Sequence, residues 1–336
     1  MTATTVPHTA ARDVRHPPTR WRPIAWLFAP APPTRLAVLR ILVGAYATVW
    51  ATVRLPAHLD HAHQVADRWQ PVGLLAPLDG PPVDGALFGL SVGAPFVGVL
   101  FVVGWGYRLI GPLFAVAILA LATLDSSWGQ VFHTENLLVL HLLILAAAPA
   151  ADTLTIGRHE TLPGDIASER YGWPVRLAAV VVVLAYVVAG IAKLRIGGLD
   201  WLDGATLQHW VAKDNLRKAL LGDAYSPFGP PLVGQRWVFP PLAVATVVIE
   251  LGAWVALTGG RWRTIWVITA WVFHVAVLAL MAILFPYQLS GVAFAPFFRL
   301  ERIAGAVRGP TDPRPAVRRP CWVLASRAGG AGSRRR

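Results

Sequence analysis

Lys193 lies near the end of the apolar stretch Val187-Val188-Ala189-Gly190-Ile191-Ala192-Lys193-Leu194, with Asp200-Trp201-Leu202-Asp203-Gly204 close behind. Ionisable groups are costly at membrane depth, so an apolar run that keeps one marks a candidate site. Two chemistries suit this lysine. Its four-carbon stem can lift the ammonium to the headgroups, which is a structural role. Alternatively, a poorly solvated cavity disfavours the charged form and leaves an amine able to act as a general base, a task arginine cannot perform.

Glu250 and His274 sit deeper. Each is about ten residues into its apolar run, or about 15 Å from an end at a rise of about 1.5 Å per residue. They can serve as links between helices, pairing with each other or, for Glu250, with Arg40. They can also line a polar cavity with Lys193 at its mouth. His133 and Asn136 flank the start of another apolar run and fit either interfacial hydrogen bonding or a wall of the same cavity. His61 and His63 beside Asp60 are a weak metal-binding pattern, two alternate histidines in a loop, and no metal is expected. Cys321 is the only cysteine, so there is no disulfide framework and no cysteine-rich metal site. No phosphate-binding loop, dinucleotide-binding glycine pattern or Gly-x-Ser-x-Gly elbow is present.

The elements that must position these residues are membrane helices. The chain has 336 residues, 55% hydrophobic and 14% charged, and several of its runs reach the ~18 uncharged residues that suffice to span a bilayer. The expected fold is an all-α membrane protein of about eight transmembrane helices with no soluble β domain. The spans fall near 36–53, 86–105, 109–124, 136–149, 177–194, 241–258, 264–284 and a final short one ending near Phe298. Residues 201–221 read as interfacial helix. The net charge of +12 is concentrated in the tails and in short turns at Arg108 and Arg261/Arg263. That distribution sets orientation in a cell membrane and argues against a nucleic-acid partner. Both termini are expected to be cytoplasmic, and the loops beside Lys193 external. Residues 1–34 read as a flexible basic cytoplasmic arm without the apolar core of a cleavable signal, so the first span is an uncleaved anchor. Residues 35–300 form the membrane domain, and 301–336 read as an Arg-rich disordered cytoplasmic tail.

Five stretches carry a family signal. They are Leu39-Arg40-Ile41-Leu42-Val43-Gly44, Gly106-Tyr107-Arg108, Leu124-Asp125-Ser126-Ser127-Trp128, Ala189-Gly190-Ile191-Ala192-Lys193-Leu194 with Asp200-Trp201 and Gly204, and Phe273-His274 with Phe285-Pro286-Tyr287. In this order, from about 34 to 300, the chain resembles the horizontally transferred transmembrane domain, the membrane domain shared by vitamin K-dependent gamma-carboxylases and their bacterial relatives. The resemblance implies that Lys193 is the base that deprotonates a reduced quinone, menaquinol or vitamin K hydroquinone. It implies that His133, nearest to the family's fourth-helix histidine, belongs to the same site. With His274 these are the candidate catalytic residues; Asn136, Trp201, Glu250 and Tyr287 are the candidate cofactor-binding residues.

In the carboxylases a large external domain follows the membrane domain, whereas the segment after residue 300 here is short and basic. The expectation is therefore oxidation or epoxidation of a lipid quinol rather than carboxylation of a propeptide-bearing protein. The competing expectation is a non-catalytic membrane protein that binds, matures or exports a small peptide or protein partner. Catalysis requires Lys193, Glu250 and His274 to converge, and a scaffold does not.

Overall fold

A computed structural model describes residues 22–156 and 166–308. The chain begins with α1 (Arg22–Leu27) and α2 (Pro33–Val53), then α3 (Leu55–Asp60), α4 (Asp84–Val103), α5 (Tyr107–Asp125), α6 (Asn136–Ala146) and α7 (Glu169–Gly197). It continues through α8 (Ala205–Leu221), α9 (Gly229–Val233), α10 (Phe239–Leu251), α11 (Gly260–Met281), α12 (Pro286–Leu289) and α13 (Glu301–Arg308). Among the described residues there is no strand, only an isolated bridge between Ala31 and Ser168.

Among the described residues, six helices are long and apolar enough to cross a membrane: α2, α4, α5, α7 with its following turn, α10 with the 3₁₀ stretch Gly252–Thr258, and α11. The remaining two of the eight expected spans take other forms. At eleven residues, α6 is about 16 Å long at 1.5 Å per residue and cannot cross alone. After α11, the chain returns through α12 and the 3₁₀ helix Val292–Phe297. Trp271 donates to the Leu289 carbonyl at 2.9 Å and Arg263 to the Phe297 carbonyl at 2.7 Å. The return thus runs antiparallel to α11 down to its first turn. Irregular backbone is tolerated at this depth only when protein covers it, and Tyr287 and Ala293 through Phe297 are buried.

Local sequence explains the turns. Gly104 and Gly106 both take positive φ (76° and 54°), which lets α4 and α5 form a tight hairpin around Trp105. Pro33 occupies the first turn of α2, where its missing N–H costs nothing. Arg40 is wholly buried yet paired with no acid among the described residues. Its guanidinium donates to the carbonyls of Ala150 (2.8 Å), Leu154 (2.6 Å) and Val102 (3.2 Å), tying α2 to the end of α4 and the chain after α6.

The up-down order puts the ends of α2, α5, α7 and α11 together with the long connections 54–83, 126–135 and 198–238. The turns at Arg108 and Arg261/Arg263 lie at the other end. Within 198–238, α8 was expected as an interfacial helix; it packs on the end of α11 and caps it. Asn215 donates to the Leu280 carbonyl at 2.9 Å and Lys218 to the Met281 carbonyl at 2.5 Å, while Ser226 donates to the Ala279 carbonyl. These are carbonyls a helix C-terminus leaves without intrahelical partners. Most of the expected basic arm, 1–21 with Trp21, and of the tail, 309–336 with Cys321, lie outside the described residues.

Candidate functional site

Tyr186, Gly190 and Lys193 are spaced four and three residues apart on α7, so they share one face. That face meets α10 at Gly190. A Cβ added there would lie 3.0 Å from the Glu250 Cβ and 2.9 Å from a Leu251 methyl, so only glycine allows the two helices this close. The close approach delivers Glu250 to Lys193. Lys193 Nζ donates to both carboxylate oxygens, at 2.5 Å and 2.7 Å. Trp201, at the end of the 3₁₀ turn Gly198–Trp201, covers the ammonium with its ring 5.6 Å away. The side chains are 23% exposed for Lys193 and 4% for Glu250, so the lysine is the open member of the pair. Its ammonium points at the Glu250 carboxylate. Arg40 and His274 are not the partners of Glu250, contrary to the linking roles that depth alone permitted. Arg40 is held instead by main-chain carbonyls that a sequence does not display, while its Nε has no partner among the described residues.

His274, on α11, meets the same face of α7 at Tyr186, about two turns before Lys193. Its Nε2 is 2.7 Å from the Tyr186 hydroxyl, and the two rings meet edge to face with centroids 5.8 Å apart. His274 is 5% exposed and its Nδ1 has no partner among the described residues. Phe285 packs against His274 at 4.9 Å and against His133 at 6.0 Å. His133 therefore approaches this group across an aromatic ring. Asn136 opens α6 with an exposed side chain and hydrogen-bonds through its main chain to His133.

Tyr287 faces elsewhere. His141 Nε2 is 3.2 Å from the Ala178 carbonyl, which can only accept, so His141 Nδ1 is the acceptor for the Tyr287 hydroxyl at 2.6 Å. Tyr287 also packs on Tyr46 at 4.8 Å and, with Pro286, lines a narrow pocket shared with Trp50, Thr134, Glu135 and Leu138. The Phe285-Pro286-Tyr287 segment thus separates two polar groups, one on each side of the return passage.

A third polar group escaped sequence reasoning. Asp125, at the end of α5, binds His61 Nε2 at 2.9 Å and Arg54 at 3.0 Å, with His58 Nε2 at 3.5 Å; Arg54 reaches Glu135 at 3.9 Å. His61 stacks on Trp128, which meets Trp69 edge-on. Ser127 accepts from the Val72 N–H at 3.2 Å and its own carbonyl accepts from the Gln70 N–H at 2.8 Å. The Leu-Asp-Ser-Ser-Trp stretch therefore moors the 54–83 connection. His61 is committed to a carboxylate and His63 is exposed; among the described residues no three His, Cys, Asp or Glu side chains are placed to hold a metal ion. Tyr186 also went unseen, although its spacing to Gly190 and Lys193 was a readable signal.

A family model described as HTTM domain matches residues 28–300, most of the chain. No curated protein and no solved structure matches it.

Proposed function

The chain belongs to the HTTM-domain family, and from that premise we propose that it is a multi-pass enzyme of the cell membrane that acts on a reduced lipid quinone, with the Lys193–Glu250 pair as its proton-accepting centre. The observation that carries this reading is the pair itself: a doubly hydrogen-bonded ammonium and carboxylate, nearly closed to water on the acid side and partly open on the lysine side. An ammonium has three N–H donors. Two are spent on Glu250, which leaves one for a substrate oxygen.

The surroundings suit a flat, hydroxyl-bearing ring. Trp201 offers an aromatic face, and its buried indole N–H has no partner among the described residues. His274 presents a second buried, unpartnered nitrogen beside Phe285. Tyr186 fixes the orientation of that imidazole through its hydroxyl. A reduced quinone supplies an acidic hydroxyl and two electrons; the chain's own residues receive the proton, hold the oxygen and exclude bulk water. The bilayer, which the six long helices of the described residues are apolar enough to cross, is where such a lipid is dissolved. Both termini are assigned to the cytoplasm because the short arginine turns gather at one end of the bundle, and the Lys193 end then faces outward.

The test is incubation of the purified protein, in lipid, with reduced menaquinone under oxygen. We expect consumption of the quinol, falling at least about 100-fold in Lys193→Ala, the usual scale for loss of an acid–base group. Consumption at the wild-type rate in Lys193→Ala would remove the pair from the reaction, and no consumption by the wild type would falsify this function.

A further inference from the structure

We infer that the junction of α1, α2, α7 and α13, at the end of the bundle that carries the arginine turns, binds the phosphate of an acidic phospholipid. The site stands apart from Lys193 and does not depend on its chemistry. Arg35, in the first turn of α2, gives Nε and one Nη to the Glu301 carboxylate, and its other Nη has no partner among the described residues. Arg176, about two turns into α7, donates one Nη to the Ala29 carbonyl and lies 5.9 Å from the centre of the Trp26 ring. That carbonyl is seated against Gly172, where any Cβ would collide with it. The two guanidinium groups are close enough to repel each other. Arg299 lies within electrostatic reach of Glu301. Like Arg302, it is exposed and has no side-chain hydrogen bond or ion pair among the described residues. Of the acids at this junction, Glu301 is held by Arg35, and Asp152 by Arg170 and Tyr171.

An anion seated here relieves the repulsion between Arg35 and Arg176 and gains guanidinium forks that match phosphate oxygens. Both side chains are already fixed, one by a carboxylate and one by a carbonyl, so little further ordering is lost on binding. A general excess of arginine at one end of the bundle sets orientation, but it does not require two of them to be pinned as neighbours. The depth suits a headgroup. With 29 residues, α7 is about 43 Å long against a hydrocarbon core of about 30 Å, so its ends reach the headgroup layer. The neighbours favour a lipid over a free ion. Ile24 and Trp26 on α1 and Ile303 on α13 are exposed beside the arginines, the pairing of basic and apolar side chains that rests at the boundary of headgroups and acyl chains. A free phosphate would use the guanidinium groups and none of these apolar side chains.

The experiment is native mass spectrometry of the full-length protein extracted from vesicles of phosphatidylcholine doped with phosphatidylglycerol. The wild type should retain phosphatidylglycerol in preference to phosphatidylcholine. Arg299→Gln with Arg302→Gln removes two exposed side chains that bond to nothing in the described residues, and should weaken that retention roughly 30-fold, the scale of two arginines acting on an acidic lipid. Arg108→Gln with Arg261→Gln removes the same charge from the same end of the bundle and should leave retention unchanged. Equal retention of the two lipids by the wild type would overturn the site, as would unchanged retention in the first double variant. Equal loss in both double variants would reduce the effect to the overall charge of that end and overturn it too. Trp26→Ala should weaken lipid retention. Lipid that is displaced by excess inorganic phosphate and is indifferent to Trp26→Ala would assign the site to a free anion instead.

Discussion

Gly190 is the residue on which the candidate site turns. In sequence it is a small residue inside a helical run, where glycine costs about 1 kcal/mol against alanine. Its function becomes visible only with Glu250 and Leu251 pressed against it. Gly190→Ala should push α10 away, lengthen the Lys193–Glu250 contact and destabilise the protein by about 1–3 kcal/mol, the usual range for overpacking. Thermal unfolding and quinol consumption should fall together; an unchanged midpoint with unchanged rate would show that the helices yield freely there. Arg40 makes the complementary case. Its position inside a span was legible, but its partners were carbonyls, which every residue carries and no sequence marks. Arg40→Met should leave those carbonyls buried without donors and cost about 3 kcal/mol, from the penalty for unsatisfied buried groups. Denaturation in mild detergent measures that loss, and a midpoint within error of wild type would mean that water replaces the guanidinium.

At the scale of elements, two segments are held by ion pairs between side chains of different elements. Asp125 gathers Arg54, His58 and His61 and so holds α3 and the 54–83 connection against α5. Asp125→Asn should raise amide hydrogen exchange throughout 54–83 while leaving α10 and α11 protected. Uniform exchange across the bundle would show that Asp125 instead supports the global fold. A second clamp joins α13 to α2, where Arg35 donates to both Glu301 oxygens at 2.8 Å and 2.6 Å. The Arg35 hydrogen bond holds the Glu301 carboxyl below its ordinary range. A depressed folded value means that the clamp contributes stability above the unfolded carboxylate range and loses it as pH falls through the folded value. The partners are 20% and 25% exposed, so the contribution is at most about 1 kcal/mol after screening. Protease susceptibility near residue 300 should rise in acid for the wild type and be already high, and pH-independent, in Glu301→Gln. Acid-dependent cleavage that persists in Glu301→Gln would assign the effect to another group.

For the whole molecule, sidedness is the main expectation to check. Single cysteines at Arg108 and Asp203, in a Cys321→Ser background, should label from opposite faces of sealed membranes, Asp203 from outside. Labelling of both from one face would invert or break the alternation of passages. The sequence by itself determined the class and most of the path, since uncharged runs of spanning length and arginine-bearing turns follow from hydration costs that each segment meets alone. It also singled out Lys193, Glu250 and His274, because a polar group in an apolar run is conspicuous without any partner in view. Tertiary structure alone decided who pairs with whom. Glu250 went to Lys193 and His274 to Tyr186, Arg40 went to carbonyls and Tyr287 to His141, across sequence separations that no local pattern encodes. It also allowed the last passage to run as short and 3₁₀ helix, because other helices cover its main chain and take over the protection that a full-length helix gives itself.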